Sequence, residues 1–222
     1  MAVNWFPLWL SLRVAAVATL VSLALGLWIA YVLANRKFRG KELLDAVVTL
    51  PLVLPPTVLG YYLLVTLGRT SPLGHLYEYL FGAPLVFTWQ AAVVASTFHA
   101  IPLLVKSARA AFETVDRSYE KAARNLGASD WRVFWRVTLP LSRRAVIAAS
   151  VLAFARALGD FGATLMIAGD IPGRTQTASI AIYDAVESGN TLVARVLVLV
   201  LSAVAIAIVY AANRLQQRQV IG

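Results

Sequence analysis

The chain has 222 residues, 59% of them apolar and 14% charged, with a mean hydropathy of +0.72, 20 Lys and Arg against 11 Asp and Glu, and no cysteine. Soluble domains carry about 45–50% apolar and about 25% charged residues, so this composition excludes an ordinary soluble enzyme, and the missing cysteine excludes disulfides and thiolate metal sites. The net charge of +9 does not point to a nucleic-acid partner, because the charges fall in gaps between apolar blocks and not over one polar face.

About 20 apolar residues in a helix cross a bilayer core of about 30 Å with every backbone hydrogen bond satisfied internally. Taken in chain order, five stretches qualify, at about 8–34, 46–67, 85–105, 141–168 and 192–212. They predict an all-α integral membrane protein, with the whole of 1–222 as one transmembrane domain. The first stretch has no Lys or Arg before Arg13 and is longer than the apolar region of a secretory leader, so it reads as a retained span. Pro51, Pro55 and Pro56 interrupt the second, freeing backbone groups that need protein or a water-lined path as partners. The fourth is unusual, since about 28 residues exceed what a bilayer needs and it contains Arg156, Asp160, Gly159 and Gly162. Its first turns are expected to lie outside the membrane.

Orientation follows from the basic residues. Fifteen of the 20 fall in three places, four in 35–45, nine in 106–144 and two, Arg214 and Arg218, in the tail. Only Arg69 and Arg174 lie in loops on the other side, and Arg13, Arg156 and Arg195 lie within spans. The N-terminus is therefore expected outside and the C-terminus in the cytoplasm. Arg13 and Arg195, near span ends, are expected to reach lipid headgroups. His75 in an outer loop and His99 in a span read as solvated or packed histidines, with no metal site around them.

The 106–140 connection is too long to be a simple turn. Residues 119–126 suit a helix, Gly127 can supply a left-handed cap, and Asp130 can start a second helix bearing Trp131, Phe134 and Trp135 that Pro140 ends. The result is a helix–Gly–helix elbow with an aromatic face. On physical grounds alone, an amphipathic hairpin lying on the membrane surface remains an alternative.

At this segment the residues resemble a known family. Ala122-Ala123, Gly127 after three further residues, then Val137, Leu139 and Pro140 are similar to the EAA loop of binding-protein-dependent ABC importer permeases, with Val137 where the pattern has Ile. The pattern's Glu falls on Lys121, with Glu120 one residue earlier, about 100° around a helix. The resemblance implies that Glu120, Lys121, Ala122, Ala123, Gly127, Leu139 and Pro140 couple the chain to a separate ATPase subunit. ATP cannot be bound here by a phosphate-binding loop, because the only Gly-Lys pair, Gly40-Lys41, is followed by Glu42 and has Asn35 where the first glycine is required. No catalytic residues, bound cofactor or metal are expected.

Further resemblance lies in 152–164, ending Phe-Gly-Ala-Thr164, in 50–61, Leu-Pro-Leu-Val-Leu-Pro-Pro-Thr-Val-Leu-Gly-Tyr, and in Ile171-Pro-Gly-Arg-Thr175. These are similar to the oxyanion permeases for molybdate, tungstate and sulfate, and most to the molybdate branch. The resemblance implies a homodimer with two ATPase subunits and an external substrate-binding protein, moving the anion by alternating access. Arg156, Gly159, Asp160, Gly162, Thr164, Pro55 and Pro56 are the candidates for its translocation path. Arg156 and Asp160, four residues apart, share a helix face; they either meet a passing dianion or form an ion pair that fixes packing. A tungstate or sulfate permease, or a membrane scaffold without a path, are the other readings.

Overall fold

The structure is a computed structural model that describes residues 3–218 and, of these, the side chains through residue 211; the side chains of Arg214 and Arg218 thus lie outside the described residues. Every regular element among them is helical. Helix α1 (Phe6–Asn35) runs for 30 residues, about 45 Å. Along one face it places Ala15, Ala18, Ser22, Gly26 and Ala30, all buried. Small side chains at this spacing let a second backbone come close, and α5 (Trp89–Glu113) fills that face. A Cβ added to Gly26 would come within 2.6 Å of the Leu104 side chain, so bulk here would push the two helices apart.

The stretch read as one span over 46–67 is two helices, α2 (Lys41–Val53) and α3 (Pro56–Leu67), meeting at 113°. Consecutive prolines cause the bend. A residue before proline is driven out of the helical region; Leu54 precedes Pro55 and Pro55 precedes Pro56, and both are extended, with ψ of 138° and 137°. Helix α2 buries none of its residues, whereas α3 buries Leu59, Gly60 and Leu63. A short helix, α4 (Pro72–Phe81), follows, capped by the Ser71 hydroxyl, which accepts from the Gly74 N–H at 2.9 Å.

Helix α5 starts at Trp89, four residues later than the apolar pattern suggests, and continues past residue 105 to Glu113. Beyond it come α6 (Arg117–Asn125), α7 (Asp130–Val133), a π-helical turn (Phe134–Thr138) and α8 (Leu139–Leu141). The segment from Asp130 to Leu141 then bends by 83° into α9 (Arg143–Leu158). The expected fourth span is broken again after Leu158, and α10 (Gly162–Ala168) carries on from the break. Helix α11 (Ala178–Glu187) leads to α12 (Thr191–Arg218).

The core is formed by α1, α5 and α9, with α10 and α3 closing one side. Helix α12 packs on α9 and α11 at the periphery, with only 11% of its most apolar stretch buried. Among the described residues, three helices, α1, α5 and α12, are each long and apolar enough to cross a membrane; taking each bent pair as one crossing gives five.

Candidate coupling segment and buried polar site

Helix α6 begins at Asp116, whose carboxylate accepts from the Ser118 N–H at 2.8 Å, and these hydrogen bonds hold its carboxyl below the usual aspartate range. At its far end the Gly127 N–H donates to the Arg124 carbonyl (2.9 Å) and the Ala128 N–H to the Ala123 carbonyl (3.0 Å). This is a Schellman termination, and Gly127 takes the left-handed conformation expected of it, with φ of +82°. A Cβ there would meet nothing within 4 Å, so the requirement for glycine is conformational and not steric.

Pro140 does not end the second helix, as the sequence suggests; the helix runs on to Leu141. Proline has no N–H for the carbonyl four residues back, and its ring crowds that carbonyl. The turn before it widens instead to the π form, in which the Leu139 N–H bonds to the Phe134 carbonyl. The chain turns only at Ser142, whose Oγ lies 3.4 Å from the Ala111 carbonyl at the end of α5.

Phe134 and one edge of Trp131 are turned onto the membrane helices of the same chain, while Trp135 is 48% exposed. Phe134, 2% exposed, packs against Tyr31 of α1 (ring centroids 5.0 Å apart), Trp28 (6.0 Å) and Phe112 of α5 (6.0 Å). Trp131 stacks edge-on against Trp28 at 5.5 Å. Polar links add to this contact: Arg36 pairs with Asp130, and Arg124 with Asp130 at 3.1 Å. The segment is thus fixed to two spans of its own chain.

Glu120 is 3% exposed and faces inward, receiving hydrogen bonds from Thr138 Oγ1 (2.6 Å), Asn35 Nδ2 (3.4 Å) and Arg124 Nη2 (3.5 Å). It thus joins α6 to the π turn and to the end of α1. Lys121 and Ala122 are exposed, Ala123 half-buried, Leu139 half-buried and Pro140 exposed. Leu126, at the tip of the elbow, is 89% exposed.

The second group of residues lies at the break between α9 and α10. Asp160 is buried there, and three side chains converge on it. Thr164 Oγ1 donates to Oδ2 at 2.6 Å, Arg156 Nη1 is 3.4 Å from Oδ1, and His99 Nδ1 of α5 is 2.7 Å from Oδ1. The last contact is at ion-pair distance but off the ring N–H direction, and His99 Nε2 is buried without a partner among the described residues. His99, read from sequence as a packed histidine, is therefore a member of the site; it lies 61 positions from Asp160, beyond any local pattern. Arg156 keeps 29% of its side chain exposed while Asp160 keeps 1%, so the guanidinium spans from the buried carboxylate toward open space.

The remaining path candidates divide between two surroundings. Gly162 meets α3: a Cβ on it would come within 3.0 Å of Pro56 Cβ and 3.6 Å of the Thr57 nitrogen. Gly60, inside the 50–61 motif but not among the path candidates, makes the tighter approach: a Cβ on it would come within 2.6 Å of Met166 Cβ and 3.0 Å of Ala163 Cα. Pro55 sits in the bend and Pro56 opens α3. Gly159 does not mediate helix approach within the chain; its Cβ would meet only the Ala155 carbonyl of its own helix, at 3.7 Å. It terminates α9 instead. Arg13, expected to reach headgroups, lies over the Trp89 ring with its guanidinium carbon 3.8 Å from the centroid. Among the described residues, no group of three His, Asp or Glu could hold a metal ion.

Residues 22–221 match the family described as "Binding-protein-dependent transport system inner membrane component". The chain belongs to that family. It is 47% identical over 186 residues to the molybdenum transport system permease protein ModB of Escherichia coli K12, covering 83% of this chain and 81% of that protein. The putative molybdenum transport system permease YvgM of Bacillus subtilis is 46% identical, with 85% and 83% covered. A probable sulfate transport permease, cysT of Chlorokybus atmophyticus, is 33% identical, with 93% and 72% covered. Among solved structures, the MetNI methionine ABC transporter in an inward-facing form superposes with a TM-score of 0.73 at 17% identity, over 96% of this chain and 94% of that one. A bacterial alginate ABC transporter in complex with its pentasaccharide-bound periplasmic protein gives 0.76 at 16%, over 98% and 80%. At these identities the structures establish the fold, that of ABC importer permeases. The chain is thus an inner-membrane, multi-pass permease.

Proposed function

We propose that this chain is the permease subunit of an ATP-driven importer of molybdate, working as a homodimer with two separate ATPase subunits and an external substrate-binding protein. The observation that carries the substrate is the 47% identity to a molybdenum transport permease over more than four-fifths of both chains. The sulfate relative, at 33%, favours sulfate in the second reading, which tungstate shares.

In this reading the N-terminus faces outward and the 117–141 segment lies in the cytoplasm, where the exposed face of α6 with Lys121, Ala122 and Leu126 engages the ATPase. ATP binding brings the ATPase subunits together and draws the two coupling segments with them. Phe134 and Glu120 tie each segment to α1 and α5, so the displacement reaches the spans as rigid-body motion. The path lies at the two-fold axis, with Arg156 as a transient positive group and Asp160 preventing tight capture, since a conduction path must release what it meets. Substrate choice rests mainly with the binding protein. Calorimetry of the cognate binding protein with molybdate, tungstate and sulfate tests the assignment. Tight molybdate binding with weak sulfate binding is expected, and the reverse order would move the chain to the sulfate reading.

A further inference from the structure

At the end of α1 opposite the coupling segment, the structure contains a cavity of about 370 Å³ lined by Arg13, Trp89, Gln90, Arg174 and Thr175 with neighbouring apolar side chains. Arg13, two turns into α1, lies 23 residues, or about 35 Å, from Arg36 at the other end of the helix. We propose that this cavity is a binding site for a tetrahedral oxyanion group, with Arg13 and Arg174 as its cationic ligands. The inference deepens the oxyanion reading above and rests on it for the identity of the ion.

Charge is the first argument. No carboxylate lines the cavity, and neither arginine forms an ion pair among the described residues, whereas Arg36, Arg69, Arg109, Arg124 and Arg156 each meet a carboxylate. Asp170, the carboxylate of the 169–175 loop, turns to Gln176. Both cations are exposed at the cavity with no protein counter-charge beside them.

The second argument is preorganisation. The Arg13 guanidinium is stacked 3.8 Å from the Trp89 centroid and 5.3 Å from that of Trp9. Stacking occupies the faces of the planar group and leaves its in-plane N–H donors for an anion. Arg174 is set by a tight turn in which its N–H donates to the Ile171 carbonyl at 3.0 Å. Pro172 and Gly173 occupy the central positions and Gly173 has φ of +72°, the pattern of a type II turn. Thr175 Oγ1 braces the loop, accepting from the Ile171 N–H at 3.2 Å. The first turn of α5, whose leading N–H groups have no intrahelical acceptors, supplies Trp89 and Gln90 to the same wall.

The third argument is strain. Phe87, in the wall between this cavity and a neighbouring one of about 780 Å³ that Arg174 also lines, has φ of +60°. For a bulky residue this is an outlier, and such strain collects at ligand clamps. It is held by the bond from its N–H to the Ile167 carbonyl at 2.9 Å and by its ring lying against Gly169, where a Cβ would come within 3.0 Å.

The phosphate of a lipid headgroup shares the chemistry of a free oxyanion, so the test separates the two sources. The assembled transporter, in nanodiscs of phosphatidylcholine alone or with phosphatidylglycerol, is titrated with molybdate, sulfate and phosphate while indole fluorescence is followed. Trp89→Phe identifies the reporting ring. A saturable molybdate response that becomes roughly tenfold weaker in Arg13→Gln and in Arg174→Gln, the scale of losing one charge-assisted donor, supports the site with a free ion as its occupant. An arginine-dependent response to phosphatidylglycerol that molybdate does not displace supports it with lipid as the occupant. Equal responses in wild type and both variants overturn the site. So does the loss, in the variants, of binding-protein affinity alone without any anion response, which makes these arginines a protein-docking surface. Molybdate uptake by the wild type is measured in parallel. Uptake with variant-independent binding sinks only the site, and arginine-dependent anion binding without molybdate uptake sinks only the substrate assignment.

Discussion

Two carboxylates are buried among the described residues, Glu120 within α6 and Asp160 at the break between α9 and α10, and their surroundings are built alike. Glu120 has an arginine one turn away at 3.5 Å, a threonine hydroxyl at 2.6 Å and Asn35 from another helix at 3.4 Å. Asp160 has an arginine one turn away at 3.4 Å, a threonine hydroxyl at 2.6 Å and His99 from another helix at 2.7 Å. The difference lies in the last partner. An asparagine amide is neutral and gives Glu120 a fixed clamp, which suits the coupling role proposed for its segment. The His99 ring is a looser partner, with its Nδ1 off the hydrogen-bonding direction and its Nε2 without a partner among the described residues. Asp160 is thus held less firmly than Glu120, at the break between α9 and α10, which suits the hinge that the proposed path needs.

The comparison breaks most directly at Asp160. Asp160→Ala leaves the buried Thr164 hydroxyl and His99 ring and the partly exposed Arg156 without their shared carboxylate, at a cost of about 3 kcal/mol; a large fall in the melting temperature of the purified transporter is expected. Glu120→Ala removes the acceptor for three donors and should cost about 2–3 kcal/mol, with substrate-stimulated ATP hydrolysis lost while basal hydrolysis by the ATPase subunits persists. Thr138→Val and Thr164→Val each take one short hydrogen bond from a carboxylate, about 1–2 kcal/mol. Similar melting shifts with opposite functional outcomes, uncoupling for the first and altered uptake for the second, would sharpen the distinction between clamp and hinge. Arg156→Ala should change stability by less than about 1 kcal/mol, because the side chain is partly solvated, but should alter molybdate uptake; unchanged uptake kinetics would leave Arg156 as packing alone. Lys121→Ala, exposed beside the inward-facing Glu120, should stay within about 0.5 kcal/mol in stability.

Much of this was legible in the sequence because it depends on short-range chemistry. Gly127 ends α6 in the left-handed conformation that its place after a helical run predicts, and the proline pair at 55 and 56 signals an interruption. The angle of that interruption is set by where α3 packs on α10, through Gly60 and Gly162, which hydropathy does not register. Pro140 misleads for a related reason: the local rule that proline ends a helix gives way when the preceding turn widens, and the aromatic anchoring of Phe134 between Tyr31 and Phe112 holds that wider turn in place. His99 and Arg13 illustrate the same limit. Each is a lone polar residue in an apolar run until the fold brings a carboxylate 61 positions away to the first and an indole 76 positions away to the second.

The central claim, a path for molybdate driven through the 117–141 segment, is tested most directly by uptake into proteoliposomes holding the assembled transporter with its binding protein. ATP-dependent molybdate accumulation in the wild type, abolished together with substrate-stimulated ATP hydrolysis by Gly127→Leu, is the predicted result. Accumulation that needs no ATP, or uptake and stimulated hydrolysis that both survive Gly127→Leu, would contradict it.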